Sequence, residues 1–405
     1  MKENRVQFQR LIDRNVEEVF AGLPTPSYVL DEEILLRNCR VLQKVAEETG
    51  AKFLLAQKAF SNFDLYPVMA PFLAGTEASG LYEARLGREE MPGKEVHVFC
   101  GAYRESDFPE LFEYADHIVF NSPSQLAKYG PLCKANGKSV GLRINPECST
   151  QEGHAIYDPC APGGRLGTVR ASFDAQMTDE MIALLDGLHF HTLCEQNSDD
   201  LEVTLQAVAE KFGDILINCK WVNFGGGHHI TRPDYDLERL KRCIRSAQES
   251  WDVEVYLEPG EAWALNAGYL LTHVLDTPVN GDTRLAILDA SAACHMPDVI
   301  EMPYQPPLYG AAAVSDSAAQ GIICRLGGPT CLSGDVIGDY AFDHAVQEGE
   351  LLVFGDMAIY TTCKNNTFNG MPLPDIFVWR QNGSFQRLTQ FSYEDFKGRL
   401  GSRRK

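Results

Sequence analysis

The sequence predicts an α/β protein with two parts, a (β/α)₈ TIM barrel and a mostly antiparallel β domain. From about residue 50 to residue 260, short β-rich runs alternate with amphipathic helical runs. There are eight β-rich runs, and a helical run follows each of the first seven. From about residue 267 the pattern changes to short β-rich runs separated by Gly, Pro and Asp, which is typical of antiparallel sheet.

The predicted barrel strands are read from β-branched and aromatic residues in short runs. They are KFLLAQ, GTEAS, EVHVFCG, HIVFN, SVGLRIN, GLHFHTL, WVNFG and EVYLEP. Helical pieces such as LYEARLGREE, DDLEVTLQAVAEKF and DYDLERLKRCIRSAQES carry apolar residues at three- and four-residue spacing. An open doubly wound sheet is the competing fold, but it would usually place a G-x-G-x-x-G turn after its first strand, and none stands there.

The domain boundaries follow from the same change of pattern. We predict a barrel over residues 31–266 and a β domain made of residues 1–30 and 267–405, with PSYVL supplying a strand. In the last part of the chain, IFVWR and SFQRL flank a turn at Asn382-Gly383 and predict a hairpin. Ser392 and Asp395 have the spacing of a capping box for a last helix. Two domains also suit 405 residues, because single cores stop growing at about 250–300 residues.

Charge and cysteine content exclude several classes of function. The formal net charge of −20 argues against nucleic-acid binding, which needs basic surface. The same charge favours cationic small molecules, or serves only solubility. No apolar run is long enough for a membrane span, and the charged N-terminus lacks the apolar core of a signal peptide. We therefore expect a cytoplasmic protein whose 12 cysteines are reduced, and the lack of a C-x-x-C pair argues against structural zinc.

Unusual polar residues collect at the carboxyl ends of the predicted strands, where barrel enzymes place their chemistry. Joint placement at one mouth is harder to explain by structure alone than any single residue. In strand order these residues are Lys58, Glu77, Arg143, His189 and His191, the glycines Gly225, Gly226 and Gly227, and Glu258.

Lys58 is the most informative of these residues. It follows the apolar run FLLAQ, and lysine is rarely buried without a partner. Its stem could simply carry the ammonium to the rim of the barrel. Alternatively, its amine condenses with the aldehyde of a cofactor to form a Schiff base.

Three further motifs at the mouth each allow two interpretations. The glycines in VNFGGGHHI either make a tight turn or bind phosphate with unobstructed backbone N–H groups. Glu258 in EPGEAW caps a loop or keeps a pyridinium nitrogen protonated. His189 and His191 form H-x-H, with both side chains on one face of a strand; they are core histidines or metal ligands, and His191 could stack on a flat cofactor ring.

Two residues of the predicted β domain are also candidates. Cys331 lies in the loop GGPTCLSGD, where a cysteine followed by Asp335 suits acid–base work, although buried cysteines are usually inert. Tyr360 in GDMAIYTT either donates to a phosphate or fills a core.

Taken together, these motifs resemble the fold-type III pyridoxal-phosphate decarboxylases, whose barrel is of the alanine racemase type. The matching pieces run over nearly the whole chain, from PSYVLD to FNGMPLP. They are AQKAF with Lys58, EAS with Glu77, LRINP with Arg143, GLHFH with His191, FGGG, EPG with Glu258, GGPTC with Cys331, and GDMAIYTT with Tyr360.

Within this family the likeness is greatest to the carboxynorspermidine (carboxyspermidine) decarboxylases of polyamine biosynthesis. The distinguishing pieces are FHTLCEQ, EPGEAW and HMPDVIEMPYQP. Ornithine and diaminopimelate decarboxylases usually have arginine after EPG, where this chain has Glu261. The exchange disfavours a substrate with a second carboxylate and favours an extended cationic chain. It also leaves open how the phosphate charge is balanced.

A second departure lies in the cysteine loop. Ornithine decarboxylase-like enzymes have an acidic residue directly after the cysteine, and this chain has Leu332. Amine recognition is therefore expected from Glu261, Asp289 and Asp335. Arg165, in the long loop of residues 147–166, is a candidate partner for the substrate carboxylate.

The resemblance implies a role for each matching residue. Lys58 would hold pyridoxal 5′-phosphate, Glu258 would protonate its ring nitrogen and His191 would stack on the ring. Glu77 and Arg143 would complete the cofactor site, Gly225–Gly227 and Tyr360 would hold the phosphate, and Cys331 would return a proton to the α-carbon. The family also implies a homodimer with shared active sites, a small cationic amino-acid substrate, no metal, and no nucleic-acid or membrane partner.

Three alternatives stay open at this point. The chain could decarboxylate another basic amino acid such as diaminopimelate or ornithine. A metal-dependent barrel hydrolase using His189, His191 and Asp289 is a candidate of a different class. A catalytically dead polyamine-binding relative is the third, although retention of Lys58, Glu258 and Cys331 argues against it.

Overall fold

The structure is a computed structural model that describes residues 8–151, 158–315 and 319–402. The chain divides into two compact units, residues 36–263 and residues 1–35 with 264–405. The predicted junctions follow residues 30 and 266. Among the described residues, no helix is both long and apolar enough to cross a membrane.

Short segments of regular structure alternate along the chain. The strands are β1 Ser27–Asp31, β2 Lys52–Ala56, β3 Gly75–Ala78, β4 Glu95–Phe99, β5 His117–Phe120, β6 Ser139–Asn145, β7 Thr168–Val169, β8 Gly187–His189, β9 Trp221–Asn223, β10 Glu254–Leu257, β11 Gly268–Asp276, β12 Val279–Asn280, β13 Thr283–Leu288, β14 Ala312–Ala313, β15 Ile322–Gly327, β16 Val336–Phe342, β17 Leu351–Gly355, β18 Asp375–Trp379 and β19 Phe385–Thr389.

Helices follow the strands of the first unit and are sparse in the second. They are α1 Val16–Val19, α2 Glu32–Thr49, α3 Tyr66–Met69, α4 Leu81–Glu90, α5 Phe108–Tyr114, α6 Pro123–Ala135, α7 Arg170–Gln176, α8 Asp179–Ile182, α9 Ser198–Leu216, α10 Leu237–Trp251, α11 Glu261–Ala264, α12 Ala292–His295, α13 Asp298–Glu301 and α14 Tyr393–Leu400. Short 3₁₀ helices lie at Gln9–Leu11, Phe63–Leu65, Ala70–Phe72, Glu105–Asp107 and Phe368–Gly370.

The first unit is a closed parallel barrel, as predicted. Its strands pair in the order β5-β4-β3-β2-β10-β9-β8-β6, and pairing of β5 with β6 closes the ring. Helix α9 shows why such helices cover a barrel. Its buried residues Leu201, Thr204, Val208, Phe212 and Leu216 recur every three or four positions and form one stripe.

The barrel interior is filled by side chains rather than open as a pore. Leu54, Phe99, Val119, Trp221 and Tyr256 form a buried cluster inside it. The indole of Trp221 needs glycine on two neighbouring strands. A Cβ at residue 141 or residue 187 would lie 2.4 or 2.1 Å from ring atoms of Trp221. The ring fills the barrel interior near the amino ends of the strands. The free space therefore lies toward their carboxyl ends.

The second unit contains a mixed, mostly antiparallel sheet in the order β14-β16-β15-β13-β11-β1-β18-β19. Strand β1 supplies the predicted N-terminal strand and pairs with β11 and β18. The predicted hairpin is present as β18 and β19, with Gly383 at φ +87° in the turn. Ser392 and Asp395 form the predicted capping box at the start of α14. Aromatic residues including Tyr269, Phe377 and Trp379 make the core of this unit.

Candidate active site

Two adjoining cavities lie at the carboxyl ends of the barrel strands. The inner cavity has a volume of about 220 Å³ and the outer cavity about 240 Å³. Residues that line both are Lys58, Arg143, Arg165, Leu166 and His191. The inner cavity is further lined by Ala56, Glu77, Ser79, Phe99, Cys100, Gly101, His189 and Glu258. The site residues predicted at the ends of five different strands therefore do line one cavity.

Lys58 lies two residues beyond the end of β2 and is half-buried. Within the described part of the chain, its ammonium has no hydrogen bond and no ion pair. Residues 53–56 of β2, just before it, are buried and paired with β10 or β3, which fixes the backbone that leads to Lys58. The amine is thus held at the cavity wall and left available for a ligand.

Glu258 follows β10, and its carboxylate is held by residues of β9 and β8. Its carboxylate accepts a hydrogen bond from Asn223 Nδ2 at 2.6 Å and pairs with His189 Nε2 at 2.9 Å. Burial alone would raise the pKa of Glu258, but its interactions with His189 and the hydrogen bond from Asn223 lower that pKa below its ordinary value. Burial also lowers the pKa of His189. The carboxylate is therefore kept ionised at the floor of the cavity.

Glu77 is a second buried carboxyl group in the same cavity, with the opposite shift. Burial and the negative charge of Glu258 raise the pKa of Glu77 well above its usual range, and Lys58 only partly offsets this. Two carboxyl groups that share a site and differ in proton affinity are typical of catalytic centres. Glu258 is the ionised member of the pair, and the neutral form is favoured for Glu77.

Arg143 points from β6 into both cavities. Its guanidinium carbon lies 4.6 Å from the centre of the Phe99 ring, and Nη2 donates to the His191 carbonyl at 3.2 Å. Burial lowers the pKa of Arg143 to about 10, so the group still carries its charge at neutral pH. Together with Lys58 and Arg165 it makes the mouth positive, which suits an anionic phosphate.

His191 does not lie in the strand with His189, because β8 ends at His189. The two rings have separate partners. Gly226 N–H donates to His191 Nδ1 at 3.0 Å, whereas His189 binds Glu258. Burial and the charges of Lys58 and Arg143 lower the pKa of His191 well below its usual range. The ring is therefore neutral and held against the glycine loop, where it lines both cavities.

The glycine loop packs directly on its neighbours. A Cβ at Gly225 would lie 2.4 Å from the Phe190 carbonyl, and one at Gly227 would lie 1.9 Å from the Leu193 carbonyl. Both residues also have positive φ, +70° and +81°. Two of the three backbone N–H groups donate within the protein, Gly225 to Asn223 and Gly226 to His191. Close packing thus explains the glycines, and phosphate binding by this loop stays a prediction.

The remaining predicted residues lie outside these two cavities. Glu261 pairs with His229 at 3.3 Å in the first unit. In the second unit, Asp289 accepts hydrogen bonds from Thr25 and Thr272, and Asp335 from Ser291 and Thr330. Cys331 is exposed, and its N–H donates to Asn369 Oδ1 at 2.8 Å. Tyr360 is half-buried with φ +53°. Their roles at a shared site stay predictions.

Sequence reasoning missed two contributors, Asn223 and the pairing of His189 with Glu258. The sequence predicted His189 to be either a core histidine or a metal ligand. Among the described residues, the group with suitable spacing for a metal ion is instead Glu95, His97 and His117, and it includes neither His189 nor His191. His189 and Glu258 lie at the ends of β8 and β10, which are separated by β9, so no local pattern in the sequence predicts their contact.

The residues present fit a pyridoxal phosphate group. An unengaged lysine amine, an ionised carboxylate held deep in the cavity and a positive mouth match its aldehyde, ring nitrogen and phosphate, respectively. The fit rests on the donors and charges of this chain.

Comparisons with known proteins agree with this chemistry. Residues 27–358 match the family model described as pyridoxal-dependent decarboxylase, C-terminal sheet domain. A carboxynorspermidine/carboxyspermidine decarboxylase of Campylobacter jejuni subsp. jejuni is 40% identical over 93% of this chain and 98% of that protein. A carboxyaminopropylagmatine decarboxylase of Synechocystis sp. is 39% identical over 94% of this chain and 96% of that protein.

A solved structure gives the same relationship in three dimensions. The Campylobacter jejuni carboxynorspermidine decarboxylase complexed with norspermidine superposes with a TM-score of 0.83 and 38% identity, covering 93% of this chain and 100% of that chain. The chain belongs to the pyridoxal-dependent decarboxylases of fold type III and uses pyridoxal 5′-phosphate as its cofactor.

Proposed function

We propose that this chain decarboxylates carboxynorspermidine or carboxyspermidine to norspermidine or spermidine. The observation that carries the chemistry is the unengaged Lys58 amine in a cavity that also contains the clamped carboxylate of Glu258. The substrate class is supported by the similar decarboxylase of Campylobacter jejuni and by Glu261, which stands where arginine would favour a second substrate carboxylate.

Bound pyridoxal phosphate supplies an electron sink for the electron pair that remains when carbon dioxide leaves the α-carbon. Lys58 would hold the aldehyde carbon of the cofactor covalently until the substrate amine takes its place. Glu258 would keep a proton on the ring nitrogen, because its ionised form is stabilised by Asn223 and His189. The clamp thereby sets how strongly electrons are drawn from the reacting carbon.

The other groups of the mouth orient the reactants. The neutral ring of His191, fixed by the Gly226 N–H, presents a flat face on which a cofactor ring could stack. Glu77 in its neutral form can donate a hydrogen bond to an oxygen atom. Arg143 and Arg165 bring positive charge to the mouth, which would offset the phosphate charge in place of the arginine missing at position 261. Gly225–Gly227 and Tyr360 remain the proposed phosphate ligands.

Cys331 is the proposed proton donor to the α-carbon, supplied to the site of a partner subunit in a C₂ homodimer. Its surroundings support an interface. Exposed apolar side chains flank it along the chain at Leu332 and Val336, with exposed fractions of 42% and 39%, and Phe368 next to its hydrogen-bond partner is 46% exposed. Apolar side chains clustered in this way are typical of contact surfaces.

Subunit mixing tests the shared site. Lys58→Ala and Cys331→Ala homodimers should each be nearly inactive. After the two are mixed and allowed to exchange subunits, activity should return to about a quarter of the wild-type value, because half of the dimers then carry one intact site. No recovery despite demonstrated subunit exchange would contradict shared sites.

The relative from Synechocystis sp. introduces a second candidate substrate, carboxyaminopropylagmatine, whose chain ends in a guanidinium group. Carbon dioxide release should be measured from carboxynorspermidine, carboxyspermidine, carboxyaminopropylagmatine, diaminopimelate and ornithine under one set of conditions. We expect the highest kcat/KM for one of the first two. A preference for any of the other three would reassign the substrate and keep the cofactor chemistry.

The cofactor assignment has its own test. Purified protein should be yellow, lose the colour on borohydride reduction, and be colourless as Lys58→Ala. Colourless wild-type protein with stoichiometric metal would support the barrel hydrolase instead. A cytoplasmic location is part of this proposal, supported by 12 cysteines that are all free thiols.

A further inference from the structure

The loop that carries Cys331 is tied to two other segments of the second unit. It joins β15 to β16 and spans residues 328–335. Hydrogen bonds connect it to residues 291–295, which include α12, and to residues 366–370, which include a 3₁₀ helix. All three segments belong to the same compact unit. The position of the Cys331 backbone is therefore set within that unit.

Asp335 fixes the loop on the side of Thr330. Its buried carboxylate accepts hydrogen bonds from Thr330 Oγ1 at 2.7 Å, from Thr330 N–H at 3.3 Å and from Ser291 Oγ at 3.0 Å. Gly328 leaves the room that this carboxylate needs, because a Cβ there would lie 2.2 Å from Asp335 Oδ2. The backbone is thus held one residue before Cys331.

Asn369 fixes the loop at Cys331 itself, because its Oδ1 accepts the Cys331 N–H at 2.8 Å. The backbone of Asn369 is left-handed, with φ 57° and ψ 15°, a conformation that asparagine adopts more readily than most residues. Asn366 anchors this turn, since its Oδ1 accepts the Phe368 N–H at 3.0 Å and its Nδ2 donates to the Ala293 carbonyl at 2.8 Å. An asparagine at position 369 therefore combines the required backbone with an acceptor for Cys331.

The contact between Asn369 and Cys331 is better suited to orientation than to stability. Both residues are exposed in the chain. A hydrogen bond between exposed groups adds little net stability because water competes for both, and a left-handed residue other than glycine offsets part of that gain. A group that transfers a proton, by contrast, must be held close to its productive geometry. Holding the direction of the Cys331 side chain is therefore the effect that this contact can supply.

We propose that Asn369 is a positioning residue for Cys331, whose side chain fixes the direction in which the thiol delivers its proton. The inference rests on the proposed function, in which Cys331 protonates the α-carbon, and deepens it. The electron pair left by carbon dioxide takes the thiol proton, and water then returns a proton to the sulfur.

A displaced thiol changes where the proton is added. The electron pair then takes its proton from water, either at the α-carbon or at the aldehyde carbon of the cofactor. The second course ends with the amino nitrogen on the cofactor, as pyridoxamine phosphate, and with an α-carbon that water has converted into an aldehyde. The aldehyde share of the product therefore reports the position of the thiol, which a general loss of folded protein would not change.

The test compares Asn369→Gly, which removes the acceptor but suits a left-handed backbone, with Asn369→Asp, which keeps an acceptor. In Asn369→Gly, hydrogen–deuterium exchange at the Cys331 amide should become at least about tenfold faster. The kcat for carboxynorspermidine should fall about tenfold to a hundredfold, and the aldehyde share should rise about tenfold or more, as in Cys331→Ala. Asn369→Asp should stay within about twofold of wild type in exchange and in aldehyde share.

Asn382→Gly is the matched control. Asn382 also lies in an exposed turn of the second unit, where its Oδ1 accepts the Ser384 N–H at 3.0 Å. Its replacement should leave exchange at Cys331, kcat and the aldehyde share unchanged. An unchanged exchange rate or an unchanged aldehyde share in Asn369→Gly would overturn the inference, and so would an equal rise of the aldehyde share in Asn382→Gly.

The inference and the proposed function fail in different ways. If Cys331→Ala raises the aldehyde share and Asn369→Gly does not, the inference alone is wrong. If neither variant raises it, the proposed role of Cys331 as proton donor is wrong as well. Exchange at the Cys331 amide is measured without substrate, so it tests the contact with Asn369 even if wild type releases no carbon dioxide and the proposed function fails.

Discussion

The two ends of the barrel use the same residue types for different purposes. At the amino ends of the strands, Lys52 donates to Glu95 at 2.7 Å and pairs with Glu254 at 3.0 Å, and Tyr256 Oη hydrogen-bonds both carboxylates. At the carboxyl ends, Lys58 lines a cavity with Glu77 and Glu258 and, among the described residues, has no such partner. Lysine and paired glutamates alone therefore do not identify a site.

The proton affinities of the carboxyl groups separate the two ends. At the amino end, hydrogen bonds from His97 and Lys52 outweigh burial and lower the pKa of Glu95 to about 2. At the carboxyl end, burial and Glu258 raise the pKa of Glu77 well above its usual range. A network whose charges are matched contributes stability, whereas a network with an unengaged amine and a protonated acid is prepared for a ligand.

Replacing each of the two lysines by alanine should give the largest difference in activity between the two ends of the barrel. Lys58→Ala should lower kcat by at least about a thousandfold with little loss of stability, because an unengaged amine contributes few contacts. Lys52→Ala should leave cofactor colour and most activity intact, but lower the free energy of unfolding by about 1–2 kcal/mol, since Glu95 and Glu254 lose their cation. Equal loss of activity in both variants would contradict the assignment of Lys58 to the site and of Lys52 to a structural network.

Removing the charge of Glu258 tests whether its ionised carboxylate is needed for catalysis. Glu258→Gln keeps the size of the side chain but cannot hold a proton on the ring nitrogen, so kcat should fall about a hundredfold or more while the cofactor still binds. Asn223→Ala should cause a smaller loss in the same direction, because it removes the 2.6 Å hydrogen bond that favours the ionised form. A kcat unchanged in Glu258→Gln would rule out the role of this carboxylate.

The histidines at the amino ends of the barrel strands should make the stability of the protein sensitive to acid. Burial and the nearby His97 lower the pKa of His117 to about 3, from an ordinary value near 6.5. The unfolded chain then binds more protons than the folded protein between these values. Stability contributed by this group is therefore complete above about pH 6.5 and lost as pH falls toward 3. The rings of His97 and His117 are stacked, with their centroids 3.8 Å apart.

The variant His117→Phe tests the contribution of His117 to the pH dependence of stability, and its expected effect is the smallest of those described. Urea unfolding at pH 7.5 and pH 5 should show a smaller loss of stability in the variant than in the wild type, with kcat unchanged at pH 7.5. Other buried histidines, among them His228 and His295 with pKa lowered to about 4, supply the acid sensitivity that remains. An identical pH dependence in both proteins would show that His117 does not contribute.

The sequence was sufficient for what depends on local pattern. All eight barrel strands, the hairpin at Gly383 and the capping box at Ser392 were predictable, because periodicity and turn chemistry determine them. The gathering of Lys58, Glu77 and Glu258 was predictable too, since barrel topology brings strand ends together.

Contacts between distant segments were not predictable in this way. His189 and Glu258 are 69 residues apart, and only the register of β8 and β10 against β9 makes them partners. The same holds for Gly226 with His191 and for Glu261 with His229. Lys52, Glu95 and Glu254 each begin a strand, and the amino ends of barrel strands carry no sequence signal for such a network.

The central claim is that the amine at the mouth, and no other, holds the cofactor. Borohydride reduction of the purified protein, followed by tandem mass spectrometry of its peptides, tests this most directly. The account predicts a reduced pyridoxyl phosphate adduct on Lys58 and none on Lys52. An adduct on Lys52 or on any other lysine, or no adduct in yellow protein, would contradict it.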